Sequence, residues 1–221
     1  MNRPLLKFCG NRSFEDVQLS FNSTAAYLGF IFYRKSPRYV ESRAVSDWLR
    51  NIDGYRRKKW VGVFVNPSLK EIADVLSRVH LDIIQLHGNE HPEWITDLKR
   101  HYPVQIWKAI HHEERALNKM QHYEGCVEGF VIDCKAKGLW GGTGQSFDWS
   151  AIPGYKNEAA RQRTLCFIAG GVSPKNIDQL LSYQPMGIDI ASGIEHEGRK
   201  SKQLILDIER KVETYREYLS R

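Results

Sequence analysis

The sequence predicts an α/β chain folded as one (β/α)8 barrel, the TIM-barrel architecture, on three observations. An apolar strand-like run followed by an amphipathic helix-like stretch recurs eight times along 221 residues. No Pro/Ser-rich linker or low-complexity tract breaks the series, so residues 1–221 read as a single domain. Third, the run Val-Glu-Gly-Phe-Val-Ile at 127–132 has the composition of a strand buried on both faces, then stops at Asp133 and opens toward a glycine-rich loop. An open doubly wound sheet would place a Gly-rich fingerprint after the first strand, where Cys9-Gly10-Asn11-Arg12 stands instead.

The elements follow in order. Residues 5–9 form the first apolar run, and Ser13-Phe14-Glu15-Asp16 starts a helix to about residue 22. The second run, 26–32, has its helix at 42–51. The third, 60–65, precedes a helix at 67–79 with Leu69, Ile72, Ala73 and Leu76 on one face. The fourth run is 81–86, with Pro92 in the first turn of the next helix. The fifth is 104–110, followed by a helix at 113–122. The sixth ends at Asp133, and its helix reads as short or degenerate, near 149–152. The seventh, 165–169, is followed by a Ser173-Pro174 helix start with Pro at the first helical position. The eighth is 187–191, and a last helix runs from about residue 200 to 218.

A hydrophobic content of 42% with 26% charged residues is that of an ordinary globular protein. No apolar run approaches the roughly 18 residues of a membrane helix, and the start has no signal-peptide pattern, so a cytoplasmic protein is expected. The four cysteines have no C-x-x-C pair and read as reduced thiols. The net charge of +6 suits an anionic substrate or a nucleic acid. The basic run Arg56-Arg57-Lys58-Lys59 lies in no nucleic-acid motif and reads as a solvated loop, so no nucleic-acid partner is expected.

In a barrel, chemistry sits at the C-terminal ends of the strands. Cys9, Gln85 with His87, Asp133 and Asp189 are the polar residues found there. Lys7 shares a strand face with Cys9 and is expected to lower its pKa, so that Cys9 serves as base or nucleophile rather than as a core thiol. Asp133 either carries chemistry or caps a turn. Gly170-Gly171 after strand seven and Ser192-Gly193 after strand eight are where barrels bind phosphate, Ser192 and Gly193 opening a short extra helix. Arg38 in the loop after strand two holds a carboxylate or is a solvated charge. His87, Glu90 and His91, or His111-His112, do not match a zinc spacing, so no metal site is expected.

Together these blocks resemble the phosphoribosylanthranilate isomerase family of tryptophan biosynthesis, essentially end to end. The resemblance is carried by Lys7-Phe8-Cys9-Gly10, Leu28-Gly29-Phe30-Ile31-Phe32 with Ser36-Pro37-Arg38, and Val61-Gly62-Val63-Phe64-Val65-Asn66. It continues in Ile84-Gln85-Leu86-His87-Gly88, Asp133 with Gly141-Gly142-Thr143-Gly144, Phe147-Asp148-Trp149, Ala169-Gly170-Gly171-Val172 and Asp189-Ile190-Ala191-Ser192-Gly193-Ile194-Glu195. The resemblance implies a cofactor-independent Amadori rearrangement of a small phosphorylated substrate; a monomer is expected. It implies Cys9 as general base and Asp133 as general acid. It also implies Arg38 on the anthranilate carboxylate, Gly170, Gly171, Ser192 and Gly193 on the phosphate, and Gly142 and Gly144 reaching over the site. Asp133 must then hold a proton near neutral pH and Cys9 be a thiolate, with kcat limited on the acid side by Cys9 and on the alkaline side by Asp133. Lys7, Gln85, His87 and Asp189 are expected to contact substrate or to tie the site together.

Two residues depart from the family pattern. Phe8 replaces a usual isoleucine on the outward face, and Gln145 stands where a lysine is often found beside the phosphate. Indole-glycerol-phosphate synthase or a histidine-pathway sugar isomerase would use other strand-end groups, and an inactive scaffold would have lost Cys9 or Asp133.

Overall fold

The β-branched and aromatic runs do form strands. In a computed structural model that describes residues 3–134 and 148–219, with side chains to residue 215, eight parallel strands close into a barrel in chain order. They are β1 (Leu5–Phe8), β2 (Tyr27–Ile31), β3 (Lys59–Phe64), β4 (Ile83–Leu86), β5 (Gln105–His111), β6 (Gly129–Asp133), β7 (Leu165–Ile168) and β8 (Gly187–Ile190). The helices that follow them are α1 (Phe14–Phe21), α2 (Ser42–Arg50), α3 (Leu69–Leu76), α4 (Pro92–His101), α5 (Ala116–His122), α6 (Ile152–Arg161), α7 (Ile177–Ser182) and α8 (Lys202–Leu219). Ser13 caps α1 through the Asp16 amide, and Ser68 with Glu71 forms a reciprocal capping box on α3. No described helix is long and apolar enough to cross a membrane.

Strand alternation divides the apolar residues into two cores. Leu6, Phe8, Phe30, Ile84, Phe130, Ile132, Ile168 and Ile188 point outward beneath the helices, so Phe8 is the outward-facing residue the sequence suggests. Val61, Ile83, Trp107, Ala109, Val131 and Phe167 point inward and fill the barrel below the site. Trp107 stacks at a tilt against Phe167 (ring centroids 4.8 Å apart) and Tyr27 (5.0 Å). Gly129 and Gly187 leave the space for these rings, since a Cβ on them would lie 2.8 Å from Trp107 and 2.6 Å from Phe167. Trp107→Ala should therefore cost ~3–5 kcal/mol of stability, read from urea denaturation. A loss below ~1 kcal/mol would mean that the aromatic floor does not support the barrel.

Several predicted boundaries are corrected. The helix after β6 is not degenerate: a 3-10 turn at Trp149–Ala151 runs into the ten residues of α6. Pro153-Gly154 suggests a break, but proline is tolerated in a first turn, where its missing N–H has no intrahelical partner to lose. Ser173-Pro174 does not start α7. Asn176 folds its side chain back onto the Ser173 amide (2.8 Å) and the Gly171 carbonyl (2.9 Å), and the helix begins only after that turn. Before α8 the chain makes a two-stranded hairpin, β9 (Glu195–His196) and β10 (Arg199–Lys200), so Lys200 lies on a strand and not at a helix start.

The basic run 56–59 sits at the start of β3, at the end of the barrel away from the strand C-termini. Lys58 donates to the Ser23 and Ala25 carbonyls, Lys59 pairs with Asp82, and Arg57 lies over the Phe21 ring. These cations are engaged in tying loops together.

Candidate active site

The inward-facing positions one tier above the apolar floor carry the polar groups. On β1 the series is Leu5, Lys7, Cys9; on β4 it is Ile83, Gln85, His87; on β6, Val131 then Asp133; on β8, Gly187 then Asp189. Cys9, Arg38, Gln85, His87, Asp133, Gly170, Gly171, Asp189 and Ser192 line one cleft. Nine of the thirteen predicted site residues thus meet around it; Lys7, Gly193, Gly142 and Gly144 are the other four. Gly142, Gly144 and Gln145 lie outside the described residues.

Lys7 is wholly buried under the cleft rather than on its wall. It stands opposite Asp189 in the ladder that closes the barrel between β1 and β8, and its Nζ donates to Asp189 Oδ2 at 2.6 Å. Burial opposes the charge on Lys7, but Asp189 and Cys9 outweigh it and raise its pKa. Asp189 Oδ1 and Gln85 Oε1 are buried without a hydrogen-bond partner among the described residues. Both oxygens are acceptors, on residues that line the cleft.

Asp133 ends β6, its Oδ1 accepting the Cys134 amide at 2.8 Å. Burial first, then the neighbouring Asp189 charge, raises its pKa to about 7, against the smaller effects of the Cys134 amide and Lys7. His87 Nε2 approaches Asp133 Oδ2 to 3.5 Å. Burial, followed by the charges of His111, Lys108 and Lys7, drives the His87 pKa well below its ordinary value. A neutral imidazole brings no positive charge to the carboxyl, so Asp133 stays protonated to near neutral pH.

Cys9 departs from expectation. Lys7 does act to lower its pKa, but burial is the larger effect and Asp189 also opposes Lys7, so the thiol is raised above its ordinary value. Its sulfur fits because β2 has Gly29 beside it, where a Cβ would lie 2.6 Å from Sγ.

Arg38 is not a solvated loop charge. Glu195 of β9 takes its Nε (2.9 Å) and Nη2 (2.7 Å) in a side-on pair, and the Arg38 side chain is only 14% exposed. That pairing uses the Nε–Nη2 side of the guanidinium and leaves its terminal Nη1–Nη2 edge outside the pair. The two glycine loops touch: a Cβ on Gly193 would lie 1.7 Å from the Val172 carbonyl oxygen, so Gly193 joins the loops from behind while Ser192 lines the cleft. Gly170 and Gly171 have φ of 85° and 64°, a left-handed conformation that turns their amides. The predicted short extra helix is the 3-10 turn Ser192–Ile194.

Sequence reasoning gave no role to Glu195, Lys200 or the buried pair Lys108–Glu90. Glu90 receives Lys108 (3.1 Å) and the Asn66 (2.8 Å) and Gly88 (3.0 Å) amides, so it holds the loop carrying His87. Lys200 stands in the charged stretch 199–202, which carries no sequence signal that one of its lysines will be buried. Among the described residues no three His, Cys, Asp or Glu side chains are arranged to hold a metal ion.

Residues 6–211 match the family model for N-(5′-phosphoribosyl)anthranilate (PRA) isomerase. The chain is 49% identical over 212 residues to the N-(5′-phosphoribosyl)anthranilate isomerase of Halalkalibacterium halodurans, covering 95% of each. It resembles the crystal structure of phosphoribosyl anthranilate isomerase from Thermotoga maritima with a TM-score of 0.78 at 28% identity, over 96% of this chain and 99% of that one. A phosphoribosyl anthranilate isomerase in complex with reduced 1-(o-carboxyphenylamino)-1-deoxyribulose 5-phosphate gives a TM-score of 0.76 at 28% identity, with the same coverage.

Proposed function

The chain belongs to the N-(5′-phosphoribosyl)anthranilate isomerase family, and from that membership we infer how its residues divide the work. The reaction is the Amadori rearrangement of N-(5-phosphoribosyl)anthranilate to 1-(2-carboxyphenylamino)-1-deoxyribulose 5-phosphate in tryptophan biosynthesis. Asp133 gives its proton to the ribose ring oxygen, the C1′–O bond breaks, and the aryl nitrogen lone pair forms a protonated Schiff base. Cys9 as thiolate removes the C2′ proton, and the electrons left at C2′ neutralise the Schiff base to an enolamine. Loss of the C2′ hydroxyl proton and protonation at C1′ complete the aminoketone. The observation that supports Asp133 best is its burial beside Asp189 with a pKa of about 7, where a carboxyl can both hold and give a proton.

The remaining assignments belong to the same reading. The amides around Gly170, Gly171, Ser192 and Gly193 receive the phosphate, with Gly142 and Gly144 expected over the site. The open oxygens of Gln85 and Asp189 accept ribose hydroxyls, and Lys7 acts through Asp189. Neutral His87 donates toward Asp133 or the ring oxygen. Residues 1–221 work as one catalytic domain, a monomer in the cytoplasm. Leu117 and Leu206 as the large apolar side chains that stand exposed among the described residues fit a monomer.

Arg38 binds the anthranilate carboxylate through its terminal edge. Arg38→Ala should raise KM on the order of 10-fold or more, as loss of a charged hydrogen-bonded pair does, with kcat less affected. Turnover is followed by the loss of anthranilate fluorescence on freshly made substrate with EDTA present. An unchanged KM would remove the carboxylate clamp from this residue.

A further inference from the structure

The hairpin β9–β10 lies outside the repeating plan of the barrel, yet two of its charges reach the site from behind. Lys200 has a fully buried side chain whose Nζ donates to the Cys9 carbonyl (2.6 Å), the Ala191 carbonyl (3.1 Å) and Glu195 Oε1 (3.0 Å). An ammonium has three donors, and here all three are used, which is what makes its burial tolerable. Glu195 in turn spans Arg38 through Nε and Nη2. The hairpin is itself fixed to the barrel. Asp16 on α1 accepts the Lys200 amide (2.9 Å) and the Arg12 amide (3.1 Å), and the Arg12 guanidinium donates to the Gly198 carbonyl.

We propose that Lys200 and Glu195 are positioning residues of the isomerase site, one ammonium tying together the strand end of the base, the start of the phosphate loop and the carboxylate clamp. The proposal rests on the roles given above to Cys9 and Arg38. Arg38 stands on the loop between β2 and α2, and a free arginine there would lose rotamer freedom each time it met a carboxylate. Glu195 freezes it beforehand, so substrate binding does not bear that cost. The Glu195 carboxylate shares its charge between Arg38 and Lys200, which keeps the clamp from being neutralised by a single tight pair. Lys200 also holds the Cys9 and Ala191 carbonyls at one nitrogen, fixing the distance between the base and the loop that receives phosphate.

The test is a set of steady-state measurements on the whole protein. Glu195→Gln keeps the shape but loses the charge; it should raise KM on the order of 10-fold and leave kcat within about twofold. Lys200→Met keeps the apolar stem; it should raise KM similarly and also lower kcat, because it alone touches the Cys9 carbonyl. Combined with Arg38→Ala, Glu195→Gln should add no further rise in KM, since it acts through that guanidinium. A merely structural role for the hairpin would give additive effects and a general loss of active protein. Additive KM effects, or an unchanged KM in Glu195→Gln, overturn the proposal and leave the Arg38 clamp standing. An unchanged KM in Arg38→Ala alone removes the clamp, and the proposal falls with it. Glu195 is less deeply buried than Lys200, so its variant remains informative if Lys200→Met does not fold.

Discussion

Cys9→Ala should lower kcat by ~10²–10⁴-fold, the range for a positioned general base, while the protein folds and binds substrate as before. The C2′ proton of the Schiff base has to go to a group held against it, and the substitution leaves only water for that task. Fold and binding should survive because the main chain at this position is held independently of the sulfur. The Cys9 amide donates to the Ile190 carbonyl at 2.9 Å and the Cys9 carbonyl receives Lys200. Cys9→Ser gives a sharper comparison. Serine is close in shape and replaces the thiol with a hydroxyl that ionises far less readily, so its rate should sit near that of the alanine variant. A kcat within tenfold of wild type in either variant would take the base role from Cys9, and a normal denaturation curve in both would exclude unfolding as the cause.

Much of this was legible in the sequence, and the reasons are particular. Strands buried on both faces write themselves as apolar runs, and a barrel places the residue that ends each run at one rim. Cys9, His87, Asp133 and Asp189 are therefore locatable from the sequence. The state of those groups was less legible. Lys7 two residues before Cys9 suggests a lowered thiol pKa, but the closure of the sheet puts Asp189 against Lys7, and depth outweighs the ammonium. That pairing joins residues 182 positions apart, which no local pattern encodes. The hairpin that carries Glu195 and Lys200 was hidden for a related reason. Its strands are two residues each, too short for any periodicity, and the following helix absorbs them in a sequence reading.

Asp133→Asn should also lower kcat/KM by ~10²–10⁴-fold, and its pH profile should separate a lost acid from a damaged site. In the free protein Asp133 loses its proton at about 7. Cys9 holds its proton to a pH above that of an ordinary thiol, because burial raises it. The working form, thiolate with carboxylic acid, is then a minority with the same net charge as the majority thiol with carboxylate. Below about 7 the carboxyl is already protonated, and kcat/KM falls tenfold per pH unit with the thiolate fraction. Between the two pKa values the gain in thiolate cancels the loss of acid and the profile is flat. Above the thiol pKa it falls as the remaining acid disappears. The acid limb therefore breaks at the carboxyl pKa and the alkaline limb at that of the thiol, the reverse of the order expected from the sequence. Asparagine accepts the Cys134 amide as aspartate does but has no proton to lose in this range. The variant's residual rate should rise tenfold per unit through neutral pH without the break near 7 and level off once Cys9 is ionised. A variant that keeps the wild-type break would show that another group sets it, and Asp133 would no longer be the acid.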